Sequence, residues 1–351
     1  MPTKNLKYAI ATPYIIPPIL SSKKVVNVGD GFILNGVIRM VGTEPDLIIS
    51  CRVQPTPEQI TKINQLDFLV LAGANQLNDK FSVFPKYTVQ DLKKITVPII
   101  PMAIGIHGIP SENKEMSSNT KEIMLEIHSR IKASSWRCPL TTEYINKNLP
   151  EISEKVMMTG CPVAYDQAVL NENVKFPLAA NKIAVTITDR GDFMESEGRI
   201  VEMVRERFPN SELYLCLHQD NLPKVKSWLS TTPLSGLLNS RDPFVKIRNV
   251  AKSLGYKIVP FHSAAQTIEF YKKCDLHIGS RLHAHLYFLS NAKPSFLFGF
   301  DYRHKGIAQT FGIQIRESND FELRKEEFEG VGRRIQQGYK VMQKFKELNG
   351  I

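Results

Sequence analysis

Apolar and polar positions alternate along the chain in short blocks that predict strand and helix in turn. Tyr8–Thr12, Leu47–Cys51, Asp67–Ala72 and Val97–Ile104 are apolar runs of strand length. A helical pattern follows Asn27-Val28-Gly29-Asp30-Gly31 as far as Val41, and Asp91–Ile95 closes another helix. Lys121–Lys132 carries Ile123, Ile127 and Ile131 one helical turn apart, as an amphipathic helix does. Ser135–Cys138 and Val156–Thr159 read as short strands around a helix over Thr141–Asn148, and Gly160-Cys161-Pro162 ends the run. Asp166–Asn181 lacks periodicity and reads as a linker. Alternation then resumes with strands over Ile183–Thr188, Leu213–Leu217 and Ile258–Phe261, and helices near Arg199–Arg207, Leu222–Leu229 and Ala264–Lys273. The densest stretch is a βαβ unit: strand Asp275–Ile278, a Gly279-Ser280 turn, helix Leu282–Asn291, strand Pro294–Phe298, then a basic loop.

Strand and helix taking turns, broken once, predict an α/β protein of two Rossmann-like domains facing a cleft. The boundaries read as residues 1–170, 171–330 and a terminal helical segment, 331–351, with Glu322–Leu348 reading as one or two helices. Val341, Met342, Phe345 and Leu348 give that segment an apolar face, read as packing back over the first domain in preference to a membrane surface.

A length of 351 residues suits two such domains. With 42% hydrophobic residues and no apolar run near the ~20 needed to span a bilayer, the chain reads as cytoplasmic. Tyr8–Leu20 is apolar but interrupted by Pro13, Pro17 and Pro18, unlike a signal peptide. The five cysteines are scattered without a Cys-x-x-Cys pair, so neither a disulfide framework nor a zinc site is indicated. A formal charge of +10 implies acidic partners such as a phosphorylated substrate, a diphosphate-linked lipid or an anionic membrane face. No basic stripe interleaved with aromatics points to nucleic acid.

The unusual polar residues gather at one end of the βαβ unit. Gly279 permits a tight turn, Ser280 is a candidate cap, and Arg281 and His283 fall in the first helical turn, where free N–H groups favour an anion. Asp301, Arg303, His304 and Lys305 follow the next strand and should emerge at the same carboxyl edge. Asp30 reads as an N-cap. His107 sits in a Gly-Ile-His-Gly turn, Arg137 follows a strand, and Arg190 ends the strand starting at Ile183. His277 and His285 read as packing residues, and the histidines lack the carboxylate or cysteine partners a metal would need.

Gly279, Ser280, Arg281, Leu282 and His283, then Pro294, then Asp301 and Arg303, make the chain similar to the polysaccharide pyruvyl transferase family. The similarity is tight from about Phe261 to Gly312 and looser before it, where Asn27-x-Gly29-Asp30, Arg137 and Gly160-Cys161-Pro162 have counterparts. Gly73-Ala74 stands where the family has a Gly-Gly pair. The resemblance implies a GT-B-like architecture with the acceptor on the first domain and phosphoenolpyruvate on the second. Phosphoenolpyruvate is a co-substrate, and neither a separate cofactor nor a metal is implied. Its enolpyruvyl unit would pass to two hydroxyls of a sugar, which could be carried on a lipid diphosphate at the inner membrane face.

On that reading Gly279, Ser280, Arg281, Leu282, Arg303, Arg137, Arg190, Lys305 and Asp301 bind the donor. His283 protonates the methylene carbon and Asp30 takes a hydroxyl proton. The helix start should lower the pKa of His283 and the bound donor should raise it. Two other readings stay open: a GT-B glycosyltransferase using a nucleotide sugar, and a non-catalytic relative in a polysaccharide-assembly complex.

Overall fold

The computed structural model describes residues 6–14, 27–108, 115–168, 170, 172–177, 179–188, 190–219, 242–317, 322 and 324–351. Its first sheet contains β1 (Tyr8–Thr12), β2 (Leu47–Ser50), β3 (Phe68–Ala72) and β4 (Ile99–Met102), all parallel, in the order β2-β1-β3-β4. A bridge between Ile104 and Trp136 continues it into the short parallel pair β5 (Ser134–Trp136) and β6 (Val156–Met158). β1 and β3 are buried throughout, which is why they read as unbroken apolar runs.

The second sheet has β7 (Lys182–Thr186), β8 (Glu212–Leu217), β9 (Lys257–Pro260), β10 (Leu276–Gly279), β11 (Ser295–Phe298) and β12 (Ile315–Arg316). Its order is β12-β11-β10-β7-β8-β9, again wholly parallel. The order in which strands are added therefore reverses between β7 and β10, and the crevice beyond their carboxyl ends is where such sheets take ligands. The fold is α/β, two Rossmann-like domains of the GT-B kind facing across a cleft. The helix expected near Leu222–Leu229 lies outside the described residues.

One helix of the first domain joins the two halves. Val28–Val41 begins three residues before the start implied by an Asp30 cap: Asn27 is the N-cap, its side chain accepting from the N–H of Gly29. Two glycines in a first turn resemble a loop in the sequence, but packing requires them. A Cβ on Gly31 would lie 2.5 Å from Ala264 and 2.7 Å from the Tyr14 ring, and one on Gly29 would lie 3.2 Å from His283 Nδ1. The Val28 N–H crosses to the His218 carbonyl at 3.0 Å, and Phe32 stacks on the His218 ring. The last helix, Val331–Asn349, returns to the first domain, burying Val331, Ile335, Met342 and Phe345 while Asn349 accepts from the Lys132 and Ala133 N–H groups. Among the described residues no helix is long and apolar enough to cross a membrane.

Candidate functional site

A cavity of about 470 Å³ lies at the crevice, walled by both domains. The first domain contributes Asn27 to Asp30, the segment after β3 and Arg137. The second contributes the residues following β7, β8, β10 and β11. Every contributing strand delivers its carboxyl end.

The turn after β10 is set by Gly279, whose φ of +143° is open to glycine; a Cβ there would lie 2.1 Å from the Thr186 carbonyl oxygen. Arg281 is the N-cap residue of the helix Leu282–Ser290, and no side chain caps it. Its N–H donates to Thr186 Oγ1 at 3.2 Å and its Nε to the Ile187 carbonyl at 2.6 Å, which fixes the guanidinium beside the cavity. Ser280 does not cap this helix as expected. Its hydroxyl turns away to donate to the carboxylate of Glu197.

His283 follows in the first turn, facing Gly29 across the domain boundary. Burial, reinforced by the positive charges of Arg137, Arg303, His304 and Arg281, holds its imidazole down to about 3. It is therefore neutral at pH 7 with the cavity empty, and its Nε2 is buried with no partner among the described residues.

Arg137 is 1% exposed, and its Nε and Nη2 have no hydrogen-bond partner among the described residues. Burying a guanidinium with unmet donors is costly unless an anion completes it. Gly105 makes the position possible, because a Cβ there would lie 2.1 Å from Arg137 Nη2. The arginine thus lies buried against the backbone of the first domain.

Asp30 is 7% exposed in the first turn of its helix and pairs with Arg52 at 3.1 Å, both on the cavity wall. The segment after β11, read as a basic loop, is a helix over Tyr302–Phe311 with Asp301 as its N-cap. Asp301 accepts from Arg303 Nε at 2.7 Å and meets His304 Nδ1 at 2.9 Å, while His304 Nε2 meets the Ser280 carbonyl at 2.9 Å. Burial would raise the Asp301 carboxyl, but His304 and Arg303 outweigh it and hold the group well below the usual carboxylate range. Asp301 is not part of the cavity wall; it positions Arg303 and His304, which are.

Gly279 shapes the turn without lining the cavity, and, like Asp301, two further expected donor ligands are not brought to it. Arg190 is exposed, lies over the Phe193 ring and pairs loosely with Asp192. Lys305 is exposed in the first turn of its helix. Neither is in the wall, whereas Leu282 and the exposed His107 are. His277 and His285 are buried outside the wall and share the Ser295 hydroxyl at 2.6 and 2.8 Å. Among the described residues no group of three His, Cys, Asp or Glu could hold a metal ion.

Sequence reasoning missed two residues. His218, after β8, lines the cavity, with Nε2 on the Tyr271 hydroxyl at 2.6 Å and Nδ1 buried without a partner among the described residues. A histidine directly after an apolar strand was the available signal. Glu197 lies behind the wall on the helix Met194–Arg207, in no recognisable motif.

Among solved structures, the S. aureus MnaA complex with UDP is 13% identical, with a TM-score of 0.44 and coverage of 98% of this chain and 88% of that one. A putative UDP-N-acetylglucosamine 2-epimerase from Listeria monocytogenes is 11% identical, TM-score 0.48, covering 98% and 91%. The wall teichoic acid polymerase TagF, as its H444N variant, is 13% identical, TM-score 0.39, covering 98% and 84%. No curated protein matches the chain. The family model for polysaccharide pyruvyl transferase matches residues 27–302, from the Asn27 cap to the start of the Asp301 helix, and so takes in the cavity wall apart from Pro13, Arg303 and His304. With the match covering well over half of its length, the chain belongs to the polysaccharide pyruvyl transferase family.

Proposed function

We propose that this transferase moves the enolpyruvyl unit of phosphoenolpyruvate onto two hydroxyls of a sugar, forming a cyclic ketal and releasing phosphate. The observation that carries the reading is Arg137: a buried guanidinium whose Nε and Nη2 have no partner among the described residues, in a cavity that Arg281, Arg303 and His304 also face. A small ligand carrying a carboxylate and a phosphate matches this density of cations, and arginine's planar fork binds either group bidentately.

The reaction follows from the same geometry. The donor's negative charge offsets the cations that depress His283, so its imidazole takes up a proton and can deliver it to the methylene carbon. The first sugar hydroxyl then bonds to the neighbouring carbon, losing its proton to the Asp30 carboxylate, which Arg52 pairs with from the cavity wall. Cleavage of the carbon–oxygen bond to phosphate opens the same carbon to the second hydroxyl. Of the two hydroxyl protons lost, one balances the new methyl group and one leaves with the phosphate.

The acceptor is a sugar on the first-domain side, where Asn75, Gln76 and Asn78 supply amide groups suited to hydroxyls and Lys80 supplies charge for an anionic carrier. No separate cofactor takes part. Contact with the inner membrane face would follow from a lipid-linked acceptor.

Thermal-shift titration of wild type and Arg281→Ala tests the donor. Phosphoenolpyruvate at about 100 times its dissociation constant should add about 2.7 kcal/mol to wild type and nothing comparable to the variant. Stabilisation by nucleoside diphosphates alone would overturn the reading in favour of a nucleotide-sugar enzyme. Against that enzyme, Asp301, the acid nearest this wall after β11, is already engaged by Arg303 and His304.

A further inference from the structure

Glu197 is 0% exposed, yet it touches two groups of the cavity wall. Its Oε1 accepts from the Thr188 N–H at 2.6 Å and from the Ser280 hydroxyl, and its Oε2 accepts from Thr188 Oγ1 at 3.2 Å. Thr188 follows β7 and Ser280 follows β10, so one buried carboxylate ties together the two strand ends that form the crevice. We infer that Glu197 is a positioning residue of the donor site, and that its carboxylate takes up a proton as the anionic donor binds. This rests on the functional reading above.

The charges around Glu197 set the direction of the effect. Arg281, held on the Ile187 carbonyl, is the cation acting on it. His304 reaches the same turn through the Ser280 carbonyl. Arg248 is buried on the helix Pro243–Ser253, which packs against the Glu197 helix. Arg190, at the end of β7, is exposed beside Asp192, and Glu195 and Arg199 pair at the surface of the Glu197 helix itself. Burial outweighs the hydrogen bonds and the charge of Arg281, holding the Glu197 carboxyl up at about 7. A multiply charged anion just beyond Ser280 adds like charge and draws on Arg281, and both effects favour the protonated acid.

The hydrogen-bond network has a place for that proton. With Oε2 protonated, its O–H donates to Thr188 Oγ1, whose own hydrogen turns to the Arg190 carbonyl 3.5 Å away, while Oε1 keeps both of its donors. Gln at this position reproduces the protonated form, with its amide oxygen replacing Oε1 and its NH₂ donating to Thr188, so Glu197→Gln retains the fold.

Calorimetry of phosphoenolpyruvate binding between pH 7 and 8.5, in buffers of different ionisation enthalpy, counts the protons taken up. Wild type should take up more protons per site than Glu197→Gln, the excess growing from at most about half a proton at pH 7 towards one at pH 8.5, so wild-type affinity should fall by up to about tenfold per pH unit at the upper end of this range from this source. His283→Gln should retain the Glu197 contribution. Equal uptake and equal pH dependence in wild type and Glu197→Gln, with binding intact, would overturn the inference and leave the functional reading standing. Absence of phosphoenolpyruvate binding would instead sink the functional reading. Sulfate, which does not titrate in this range, is then the probe, and equal proton uptake in the two proteins would dismiss the role of Glu197 as well.

Discussion

Gly105→Ala isolates the contribution of Arg137 without touching the arginine. Gly105 does not occupy the positive-φ region, so alanine fits its backbone conformation, and the three atoms nearest the new methyl group all belong to the Arg137 guanidinium. The guanidinium must retreat from 2.1 Å to the 3.4 Å of ordinary contact, a displacement of about 1.3 Å. That shift exceeds the tolerance of a charge-assisted hydrogen bond, so one or both arms of the proposed bidentate contact with the donor should be lost. A hydrogen bond to a charged group contributes roughly 1.5–3 kcal/mol, which converts to about a 10- to 150-fold weaker dissociation constant for phosphoenolpyruvate. Isothermal titration of wild type, Gly105→Ala, Arg137→Ala and the double variant measures this directly. Because the alanine acts through Arg137, the double variant should bind no worse than Arg137→Ala. Affinity in Gly105→Ala within twofold of wild type would refute the placement of Arg137 in the donor site.

Further outcomes follow from the same geometry. Asp301→Asn removes the charge that holds Arg303 and His304 and should lower stability by about 1.5–3 kcal/mol in urea denaturation, with phosphoenolpyruvate KM rising more than kcat falls. Gly279→Ala places a methyl group 2.1 Å from the Thr186 carbonyl at a φ of +143° and should cost about 2–4 kcal/mol, with donor binding lost through displaced Arg281. Burial holds His128 down to about 4 and His277 and His283 down to about 3, so the unfolded chain binds more protons as pH falls below about 6.5. Stability should therefore fall progressively from pH 6.5 towards 4 in the absence of ligand. Glu197, raised to about 7, acts in the opposite sense between 4.5 and 7, but it is one group against three. A melting temperature that stays flat or rises on acidification would contradict the neutral buried histidines.

The parts of the molecule that could be read in the sequence are those whose cause is local. β1 and β3 are buried on both faces and announce themselves as apolar runs, and the Gly279-to-His283 turn combines residue types that serve few purposes other than holding an anion. What escaped depends on distant neighbours. The start of the Val28–Val41 helix resembles a loop because Gly29 and Gly31 face the second domain, a contact invisible in the local pattern. The Tyr302–Phe311 helix was hidden because its capping box uses His304 in place of the usual Glu or Gln, so the segment looked like a basic loop. Ala74 occupies a φ of +69° beside Gly73 at +46°, so this chain has a left-handed pair after β3 with an alanine in the second place. Glu197 meets Ser280 across 83 residues of sequence, and no spacing rule joins them.

A crystal structure with phosphoenolpyruvate bound tests the central claim most directly. The account predicts the donor in the cavity between the domains, one of its anionic groups within hydrogen-bond distance of Arg137 Nε or Nη2, the other at Arg281, and its methylene carbon facing His283. Phosphoenolpyruvate bound away from Arg137 and Arg281, or a nucleotide diphosphate occupying their place while phosphoenolpyruvate leaves the cavity empty, would contradict it.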